Sequence, residues 1–400
     1  MLLSIDLAGS EKRQSGYAYF ENGKIKCGII KSDDEILRLV EKLDAKIVGI
    51  DAPLSLPKGR RNIDERGPHF RECDLMLRKM RIRFFPITLG PMRKLTKRGM
   101  NLAKELRSVG VRAVELFPGG SLDLLGLERK NVQEVNRFLG SFECKAKNVD
   151  ESDAAIGLFT LWLNHHGEGL LLKGKDGSIL LANPCVHLGN LIEGEFIERL
   201  NRFVVKVKVR KKKTKAYLRD TGRLSDYLFK GNKLLMSKHK GKFDYLVRVA
   251  ADPYGDWVLV DPFFDVPLAK GWLRTKGIVA SGKNTKVRDV VFDLSWREGI
   301  CEVKGANMHW KEDKSIALFP DVYSKRAEKH FKLLRNLKVK EKMVIFVAHF
   351  PAKKVAINPE FSVLENFLKN RVLVKGLSTK RLENYWVLKK EIRFLFLNKQ

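Results

Sequence analysis

Cysteine and long apolar runs are both scarce in this chain of 400 residues. The five cysteines lie far apart, none in a CxxC pair, so the sequence supports neither a disulfide framework nor a structural zinc. No apolar run approaches the ~18 residues that a membrane-spanning helix needs. The opening residues MLLSIDLAG reach an acidic side chain too early for a signal peptide. We therefore expect a cytoplasmic protein with no membrane partner.

Glutamine is rarer still, and its scarcity among many lysines and glutamates is typical of a thermophile protein. Acidic residues are outnumbered as well, because 47 Asp and Glu face 77 Lys and Arg, a net charge of +30 at pH 7. Residues 1–185 carry 31 basic and 24 acidic side chains, or +7, and residues 186–400 carry the other +23. A polyanion is the usual partner of such a surface, so we expect nucleic acid binding, above all in the second half.

The first part of the chain alternates strand and helix patterns. The predicted strands lie at 2–7, 16–20, 25–30, 45–53 and 111–118, and the predicted helices at 32–43, 70–80, 99–109 and 152–164. Ser32 followed by Glu35 is typical of a helix N-terminus, and ENGK of a hairpin turn. A proline and several glycines mark a boundary near 183–200. We therefore expect an α/β domain at 1–185.

Apolar and basic side chains alternate in the second part, over residues 202–238. This pattern predicts a small, twisted β-barrel with one solvated face, and barrels of the OB type commonly hold nucleic acid. Helix and buried-strand patterns return from about residue 266. We expect an OB-like barrel at 198–265 and a second α/β domain at 266–400.

Two acidic residues and a lysine stand out in the last part. Asp293 lies in one predicted strand, 290–296, and Glu302 and Lys304 share a face of the next, because side chains alternate across a strand. An antiparallel pairing would place Asp293 beside them. Two converging carboxylates repel each other unless a hard cation lies between them, and Mg²⁺ prefers such ligands. The alternative is an exposed strand face with an ordinary Glu–Lys ion pair.

Several segments in this half resemble the sugar fermentation stimulation protein family. They are NRF at 201–203, DTGRL at 220–224, FDL at 292–294, EVKG at 302–305 and LFPDVYSKRAEKHFKLL at 318–334. The resemblance implies an OB-like domain followed by a restriction-endonuclease-like, PD-(D/E)XK nuclease domain. It implies Asp293, Glu302 and Lys304 as the catalytic set, with Asp293 and Glu302 holding Mg²⁺ or Mn²⁺. It also makes Asp321, Arg326 and His330 candidate neighbours of the site.

The sequence departs from this family's pattern at several positions. Asp220 replaces an asparagine, Val290 and Val291 replace a Ser-Arg pair, and Ala327 replaces a glycine. The missing arginine puts a phosphate contact in doubt but leaves the metal ligands. Asp321 has an equal alternative as a carboxylate near a helix N-terminus. For His330 a packing role is the favoured interpretation.

Acidic residues also end several predicted strands of the first part. Asp6 and Asp51 lie at strand ends and Glu115 ends a further strand, while Asp150 and Asp153 fall on one face at the start of a helix. Carboxylates at neighbouring strand ends can converge, as two-metal phosphoryl-transfer sites require. The alternatives are helix-dipole stabilisation for the helical pair and a turn role for Asp51.

The segments IDLAGS, GIDAPLSLP, RECD, VELFP and DESDAAIGL resemble the RNase H-like predicted nucleases of domain of unknown function 429. The resemblance covers about residues 1–185. It implies an RNase H-like fold and a second metal site in which Asp6, Asp51 and Asp153 are catalytic ligands, with Asp150 and Glu115 as additional candidates. A binding domain without metal is the equal alternative.

A dense basic run lies in the predicted barrel. Its candidate nucleic-acid contacts are Lys206, Lys208, Arg210, Lys211, Lys212, Lys213 and Lys215, joined by Arg223 of the DTGRL segment. Charge that protects an edge strand is the alternative, but the density favours phosphate contact. A second run, Arg78 to Arg83, precedes Phe84 and Phe85, for which a core position is favoured over base stacking.

These patterns predict a Mg²⁺-dependent nuclease that acts on DNA or RNA. A nucleic-acid-binding regulator without turnover is the main alternative, and a structural RNA-associated protein is a third. An intact set of Asp293, Glu302 and Lys304 favours the enzyme, because a binding protein has no use for it. The oligomeric state stays open, with a homodimer among the alternatives.

Overall fold

A computed structural model describes residues 1–282 and 285–397. The chain divides into two compact units, Met1–Pro184 with Arg274–Ile278, and Cys185–Leu273 with Val279–Gln400. Strands and helices are mixed in both, which confirms the predicted α/β class. Among the described residues, no helix combines the length and apolar character needed to cross a membrane.

The first unit consists of seven strands and six α-helices within its described part, with a short 3-10 helix at Gly140–Phe142. The strands are β1 (Leu2–Asp6), β2 (Ser15–Glu21), β3 (Lys24–Ile30), β4 (Ile47–Ile50), β5 (Arg112–Glu115), β6 (Gly169–Lys173) and β7 (Ser178–Ala182). The helices are α1 (Asp33–Lys42), α2 (Glu72–Lys79), α3 (Gly90–Ser108), α4 (Pro118–Leu125), α5 (Val132–Phe138) and α6 (Val149–His165).

Strands β1 to β5 form one sheet in the order β3-β2-β1-β4-β5. The first three strands are antiparallel, and β4 and β5 run parallel to β1. Asn22 and Gly23 have φ values of 52° and 73°, as the predicted hairpin turn between β2 and β3 requires. The predicted N-terminus of α1 is also confirmed, because Ser32 and Glu35 form a capping box.

Two glycines allow α6 to pack closely on this sheet. A Cβ at Gly16 of β2 would lie 2.0 Å from the carbonyl oxygen of Asp150, and a Cβ at Gly157 would lie 2.2 Å from Oγ of Ser4. A side chain at either position would push the helix away. Since Gly16 pairs with Asp6 across β1 and β2, the start of α6 lies beside Asp6.

Some boundaries in the first unit differ from those predicted. Helix α6 begins at Val149 rather than near 152, because the Asn148 side chain accepts a hydrogen bond from Glu151 N and caps the helix there. Helix α3 begins at Gly90 rather than near 99, with Pro91 in its first turn. The β6–β7 hairpin was not predicted.

The second unit contains most of the strands. They are β8 (Cys185–His187), β9 (Leu191–Asn201), β10 (Val204–Val209), β11 (Lys212–Tyr217), β12 (Lys233–Lys238), β13 (Tyr245–Ala251), β14 (Trp257–Leu259), β15 (Thr285–Val287), β16 (Val290–Phe292), β17 (Leu294–Trp296), β18 (Gly299–Ala306), β19 (Met308–His309), β20 (Ile316–Phe319), β21 (Glu341–Ala348), β22 (Lys354–Ile357), β23 (Leu373–Leu382) and β24 (Tyr385–Leu395). Its α-helices are α7 (Asp265–Thr275), α8 (Lys325–Asn336) and α9 (Val363–Leu368), and 3-10 helices lie at Pro262–Phe264 and Pro359–Phe361.

Strands β9 to β14 form the predicted barrel-like sheet, in the order β11-β10-β9-β12-β13-β14. A parallel pairing between β11 and β13 joins its two sides. Along β10, Val205, Val207 and Val209 are buried, while Lys206 and Lys208 alternate with them. The alternation in the sequence therefore corresponds to one apolar face and one basic face.

The other large sheet of this unit has the order β17-β18-β21-β23-β24-β22-β20-β19, with β8 added beside β24. Strand β18 pairs antiparallel with β17 and parallel with β21. Phe331 and Leu334 of α8 share a buried apolar cluster with Val344 and Phe346 of β21. Helix α8 is thereby fixed over the part of the sheet that carries Glu302.

Candidate functional site

The hairpin of β17 and β18 brings Asp293 beside Glu302. Leu294 pairs with Cys301, so Asp293, one residue before β17, lies opposite Glu302. Oδ2 of Asp293 accepts a hydrogen bond from the Val303 amide at 2.8 Å. That bond fixes the Asp293 carboxylate against the strand that carries Glu302.

Glu302 lies in an enclosed setting, with 1% of its surface exposed. Its Oε1 accepts hydrogen bonds from Nζ of Lys304 and from Nδ1 of His330, the second at 2.6 Å. Its Oε2 is buried and has no hydrogen-bond partner within residues 1–282 and 285–397. This burial argues against an exposed strand face with a surface ion pair, because a solvated Glu–Lys pair needs no enclosure.

The two carboxylates differ in their protonation behaviour. Burial, followed by the charge of Glu302, raises the pKa of Asp293. Burial also opposes ionisation of Glu302, but Lys304 and His330 outweigh it and hold the pKa of Glu302 below its usual value. Glu302 is therefore held as a carboxylate in the absence of any metal.

The donor set of Asp293 and Glu302 suits a divalent cation. A buried carboxylate oxygen without a hydrogen bond costs free energy, and a cation beside it would remove that cost. Within residues 1–282 and 285–397, no three His, Cys, Asp or Glu side chains are arranged as a ready metal cage. Two carboxylates still fit Mg²⁺, which keeps several waters and takes one or two carboxylates from the protein.

The other candidates near this site occupy different positions. Asp321 lies between β20 and α8, and its Oδ2 accepts a hydrogen bond from Leu224 N at 3.3 Å. Ser324 is the residue that caps α8, and Asp321 lies three residues before it. Arg326 is exposed on α8. His330 contacts the Glu302 carboxylate, so the packing role favoured from the sequence was incomplete.

A buried Asp–His pair near Lys304 was not predicted. Nε2 of His349 lies 2.7 Å from Oδ1 of Asp265. Burial raises the pKa of Asp265, which the charges of His349 and Lys304 oppose. A Cβ at Gly305 would lie 2.5 Å from Nε2 of His349, so the glycine after Lys304 makes room for the imidazole. Asp265 and His349 are far apart in sequence, and no local motif marks the pair.

The first unit brings Asp6, Asp51, Asp150 and Asp153 together, a set that we call the aspartate cluster. Burial and then the charges of Asp51, Asp153 and Asp150 raise the pKa of Asp6 well above its usual range. Burial and the charge of Asp153 do the same to Asp51. Burial and the charge of Asp150 raise the pKa of Asp153 to about 6. Burial and neighbouring negative charge therefore both oppose ionisation of Asp6, Asp51 and Asp153.

Glu115, the remaining acidic candidate of this unit, is paired with a buried arginine. Both of its oxygens accept hydrogen bonds from Arg71, each at 2.6 Å, and Oε2 also accepts the Leu54 amide at 2.8 Å. Arg71 is 1% exposed and also pairs with Asp74 at 2.8 Å. The oxygens of Glu115 are committed to this buried pair, so its position favours a structural role.

The basic run divides into paired and free side chains. Lys206 and Lys208 of β10 pair with Glu198 and Glu195 of β9, at 3.0 and 3.6 Å. The exposed residues without an ion pair to any described residue are Arg210, Lys211, Lys212, Lys213, Lys215 and Arg223. A cleft of about 390 Å³ lies beside them, lined in part by Lys213, Lys215 and Lys242. The free lysines of β11 are the better placed for phosphates.

Family models match three successive segments of the chain. Residues 5–137 match "Protein of unknown function (DUF429)". Residues 197–260 match "SfsA N-terminal OB domain", which confirms the OB prediction. Residues 268–378 match "Sugar fermentation stimulation protein RE domain".

Curated proteins and a solved structure are similar to the second half of the chain. The sugar fermentation stimulation protein homolog of Archaeoglobus fulgidus is 34% identical over 172 residues, 41% of this chain and 74% of that protein. The Thermosipho melanesiensis homolog is 28% identical over 229 residues, 53% of this chain and 97% of that protein. Pyrococcus furiosus SfsA, solved in complex with Ca²⁺, is 20% identical with a TM-score of 0.47, over 52% of this chain and 98% of that chain.

The matched segments follow one another in the order of the predicted parts. The similarity to the Archaeoglobus fulgidus homolog also spans most of that protein. The chain therefore belongs to the sugar fermentation stimulation protein family, and carries a DUF429 region ahead of its two SfsA domains.

Proposed function

We propose that the protein is a metal-dependent nuclease that hydrolyses phosphodiester bonds of DNA or RNA at Asp293, Glu302 and Lys304. One observation carries the proposal. Oε2 of Glu302 is buried without a hydrogen-bond partner, on a carboxylate held ionised beside Asp293. A buried carboxylate oxygen without a hydrogen bond lowers the stability of the folded protein. A cation bound beside it would remove that cost.

Each side chain has a distinct role in this proposal. Asp293 and Glu302 would hold Mg²⁺ or Mn²⁺, which would supply Lewis-acid activation of water and phosphate. Lys304 carries the positive charge that stabilises charge developing on the phosphate. His330 orients the Glu302 carboxylate through Oε1, so that Oε2 would be available to hold the cation.

We further propose three domains: an RNase H-like domain at 1–185, an OB-like barrel at 198–265 and a PD-(D/E)XK nuclease domain at 266–400. The order and positions of the three family matches support these bounds. The hairpin that presents Asp293 opposite Glu302 and Lys304 supports the nuclease assignment.

Cleavage by two variants tests the C-terminal site. Glu302→Gln keeps the shape of the side chain but removes the charge that would hold the cation, and Lys304→Ala keeps both carboxylates. Each should lower the Mg²⁺-dependent rate by about a hundredfold or more on labelled DNA or RNA. Neither should change nucleic acid affinity, because the free lysines of the barrel supply it.

Glu391→Gln is the matched control. Glu391 pairs with Lys375 across β23 and β24 at 2.7 Å, so this variant breaks another cross-strand ion pair of the same unit. It should cleave at the wild-type rate. Wild-type rates in Glu302→Gln and Lys304→Ala would overturn the proposal, and binding without cleavage in the wild type would favour the regulator.

The barrel is proposed as the main nucleic-acid interface, and salt dependence tests it. Changing Lys211, Lys212, Lys213 and Lys215 to Ala should flatten the plot of log affinity against log salt by up to ~3.6, at about 0.9 per lost duplex contact. The double change Lys206→Ala with Lys208→Ala is the control. It should flatten the plot less per residue, because Glu198 and Glu195 already pair with these lysines.

A second metal site in the aspartate cluster is also proposed, with Asp6, Asp51 and Asp153 as ligands and Asp150 beside them; since the described residues form no ready cage of three ligands, these side chains would have to move together around the cation. The raised pKa values favour it, because mutual repulsion of four carboxylates is relieved when cations lie between them. Glu115 is left out of this ligand set because Arg71 occupies its oxygens.

A further inference from the structure

A cavity of about 780 Å³ lies in the first unit, directly beside the aspartate cluster. Asp51 and Glu115 line one end of it. Its walls carry four phenylalanines, Phe70, Phe84, Phe85 and Phe117. Cavities of this volume hold small ligands of nucleotide size and exclude a duplex. It is therefore a separate feature from the basic barrel, which offers charge without a comparable aromatic enclosure.

The aromatic wall includes side chains available to a ligand. Phe85 is 67% exposed, an unusual position for a large apolar side chain. Phe70 and Phe84 are half-buried and meet edge to face, with ring centroids 6.0 Å apart. The core position favoured for Phe85 from the sequence is therefore wrong. An exposed ring at the mouth of an aromatic cavity is the geometry on which a planar ligand stacks.

The rim of the cavity is positively charged. Arg78 lies over the Phe70 ring, 5.9 Å from its centroid, and Arg83 is exposed. Neither has an ion pair with any other residue that the structure describes. These guanidinium groups are free to contact an anion outside an aromatic pocket, as a nucleotide's phosphate would require.

Arg71, which also lines the cavity, has no spare N–H donor. It donates to Asp74, to Glu115 and to Ser55 Oγ at 2.6 to 3.1 Å. Base edges are distinguished by free donors and acceptors, so Arg71 cannot read them. Stacking, which every base can make, is therefore the main contact that the aromatic wall offers.

We propose that this cavity binds one unpaired nucleobase of a single-stranded nucleic acid, stacked on Phe85, with an adjoining phosphate at Arg78 and Arg83. The bases of a duplex are covered on both faces, so only single-stranded or unpaired positions enter. The bound nucleotide then lies next to Asp51. Base binding needs neither metal nor Glu302, so its test is independent of the proposed nuclease activity.

The test measures affinity and location together, in EDTA so that no metal-dependent cleavage occurs. The probe is a fluorescein-labelled single-stranded tetranucleotide that carries one 5-iodouracil. The protein is the full chain with Lys211, Lys212, Lys213 and Lys215 changed to Ala, which weakens binding to the barrel. Anisotropy gives the affinity, and mass spectrometry locates the photo-cross-link, expected within 70–87.

Phe85→Ala should weaken binding about tenfold or more and remove the cross-link, because stacking on an aromatic side chain contributes most of the base affinity. Phe85→Trp should bind within about threefold of the parent, since indole also stacks. Val109→Ala, at an apolar residue of the same unit that is also 67% exposed, is the control and should change nothing.

Arg83→Gln provides a second variant whose effect does not depend on the aromatic wall. It should weaken binding of the tetranucleotide but not binding of the free nucleoside. Unchanged affinity in Phe85→Ala, equal binding of the matching duplex, or a cross-link to a residue that does not line the cavity would each overturn the proposal. Failure of this test would leave the result for Glu302→Gln unaffected, and the reverse also holds.

Discussion

The two groups of carboxylates differ in how their negative charge is balanced by neighbouring groups. At the C-terminal site, Lys304 and His330 contact Glu302, and its pKa stays below the usual value. In the aspartate cluster, burial and then the neighbouring carboxylates raise the pKa values of Asp6, Asp51 and Asp153, and the charge of Arg129 opposes this at Asp51. Glu302 has its charge balanced by neighbouring side chains, whereas our proposal for the aspartate cluster assigns that balance to a cation.

This difference has consequences for preorganisation. Glu302 is held in place by two donors before any metal arrives, so its geometry is set by folding. The aspartate cluster is held by the backbone, because the close approach of α6 to Gly16 brings Asp150 and Asp153 to Asp6. We therefore expect metal to affect catalysis most at the first site and stability most at the second.

The largest expected difference between the sites is in cleavage. The double change Asp6→Asn with Asp51→Asn should leave C-terminal cleavage within about twofold of wild type, whereas Glu302→Gln should lower it by about a hundredfold or more. Both rates are measured with excess Mg²⁺ on the same labelled substrate. Loss of all cleavage in the folded Asp6, Asp51 double variant would make the first unit the principal nuclease.

Metal should stabilise the start of α6 strongly. At a Mg²⁺ concentration a hundred times the Kd, binding to the native state adds about 2.7 kcal/mol, so amide exchange there should slow by about a hundredfold. Hydrogen exchange measured by mass spectrometry on peptides from Val149–His165 checks this. Asp51→Asn should reduce the slowing of amide exchange by Mg²⁺. In EDTA the same variant should exchange more slowly in this helix than the wild type. Equal exchange with and without Mg²⁺ would contradict metal binding by the cluster.

Acidity should stabilise the metal-free first unit, opposite to the usual effect of acid on carboxylates. The pKa of Asp153 is about 6 in the folded protein against 3.8 normally, so between these values the native state binds more protons than the unfolded chain. Asp153 alone should then lower the free energy of unfolding by about 2 kcal/mol as pH rises from about 4 to about 6 in EDTA. Denaturant titration across this range measures it, and Asp153→Asn should reduce the total fall by about this amount, because Asp6 and Asp51, whose pKa values are also raised, contribute slope of their own.

The smallest expected effect comes from removing the hydrogen bond between His330 and Glu302. His330→Ala should lower the cleavage rate about tenfold and raise the Mg²⁺ concentration needed for half-maximal rate, because the carboxylate loses a donor that orients it. His330→Asn can place an amide donor near Nδ1 and should recover most of both. A change in stability with an unaltered Mg²⁺ dependence would assign His330 to packing alone.

Local patterns predicted a large part of the fold because they depend on neighbouring residues. The ENGK hairpin, the Ser32 cap and the valine–lysine alternation of β10 all follow from turn geometry, capping and side-chain period. Helix boundaries that depend on caps outside the apolar repeat were harder to predict. Helices α3 and α6 begin earlier than their apolar periodicity indicates. The placement of Asp293 opposite Glu302 was predictable because a short turn between antiparallel strands leaves few registers.

By itself, the sequence determined the charge of the protein, the order of its α/β and barrel regions, and which carboxylates to compare, because composition, periodicity and motif order are local properties. The tertiary structure alone decided what surrounds each carboxylate. In the folded protein Glu115 pairs with Arg71, and His330 contacts Glu302. Asp265 pairs with His349, and Phe85 is exposed at a cavity. These contacts join residues distant in the chain, so their energies depend on burial and packing that no single segment encodes.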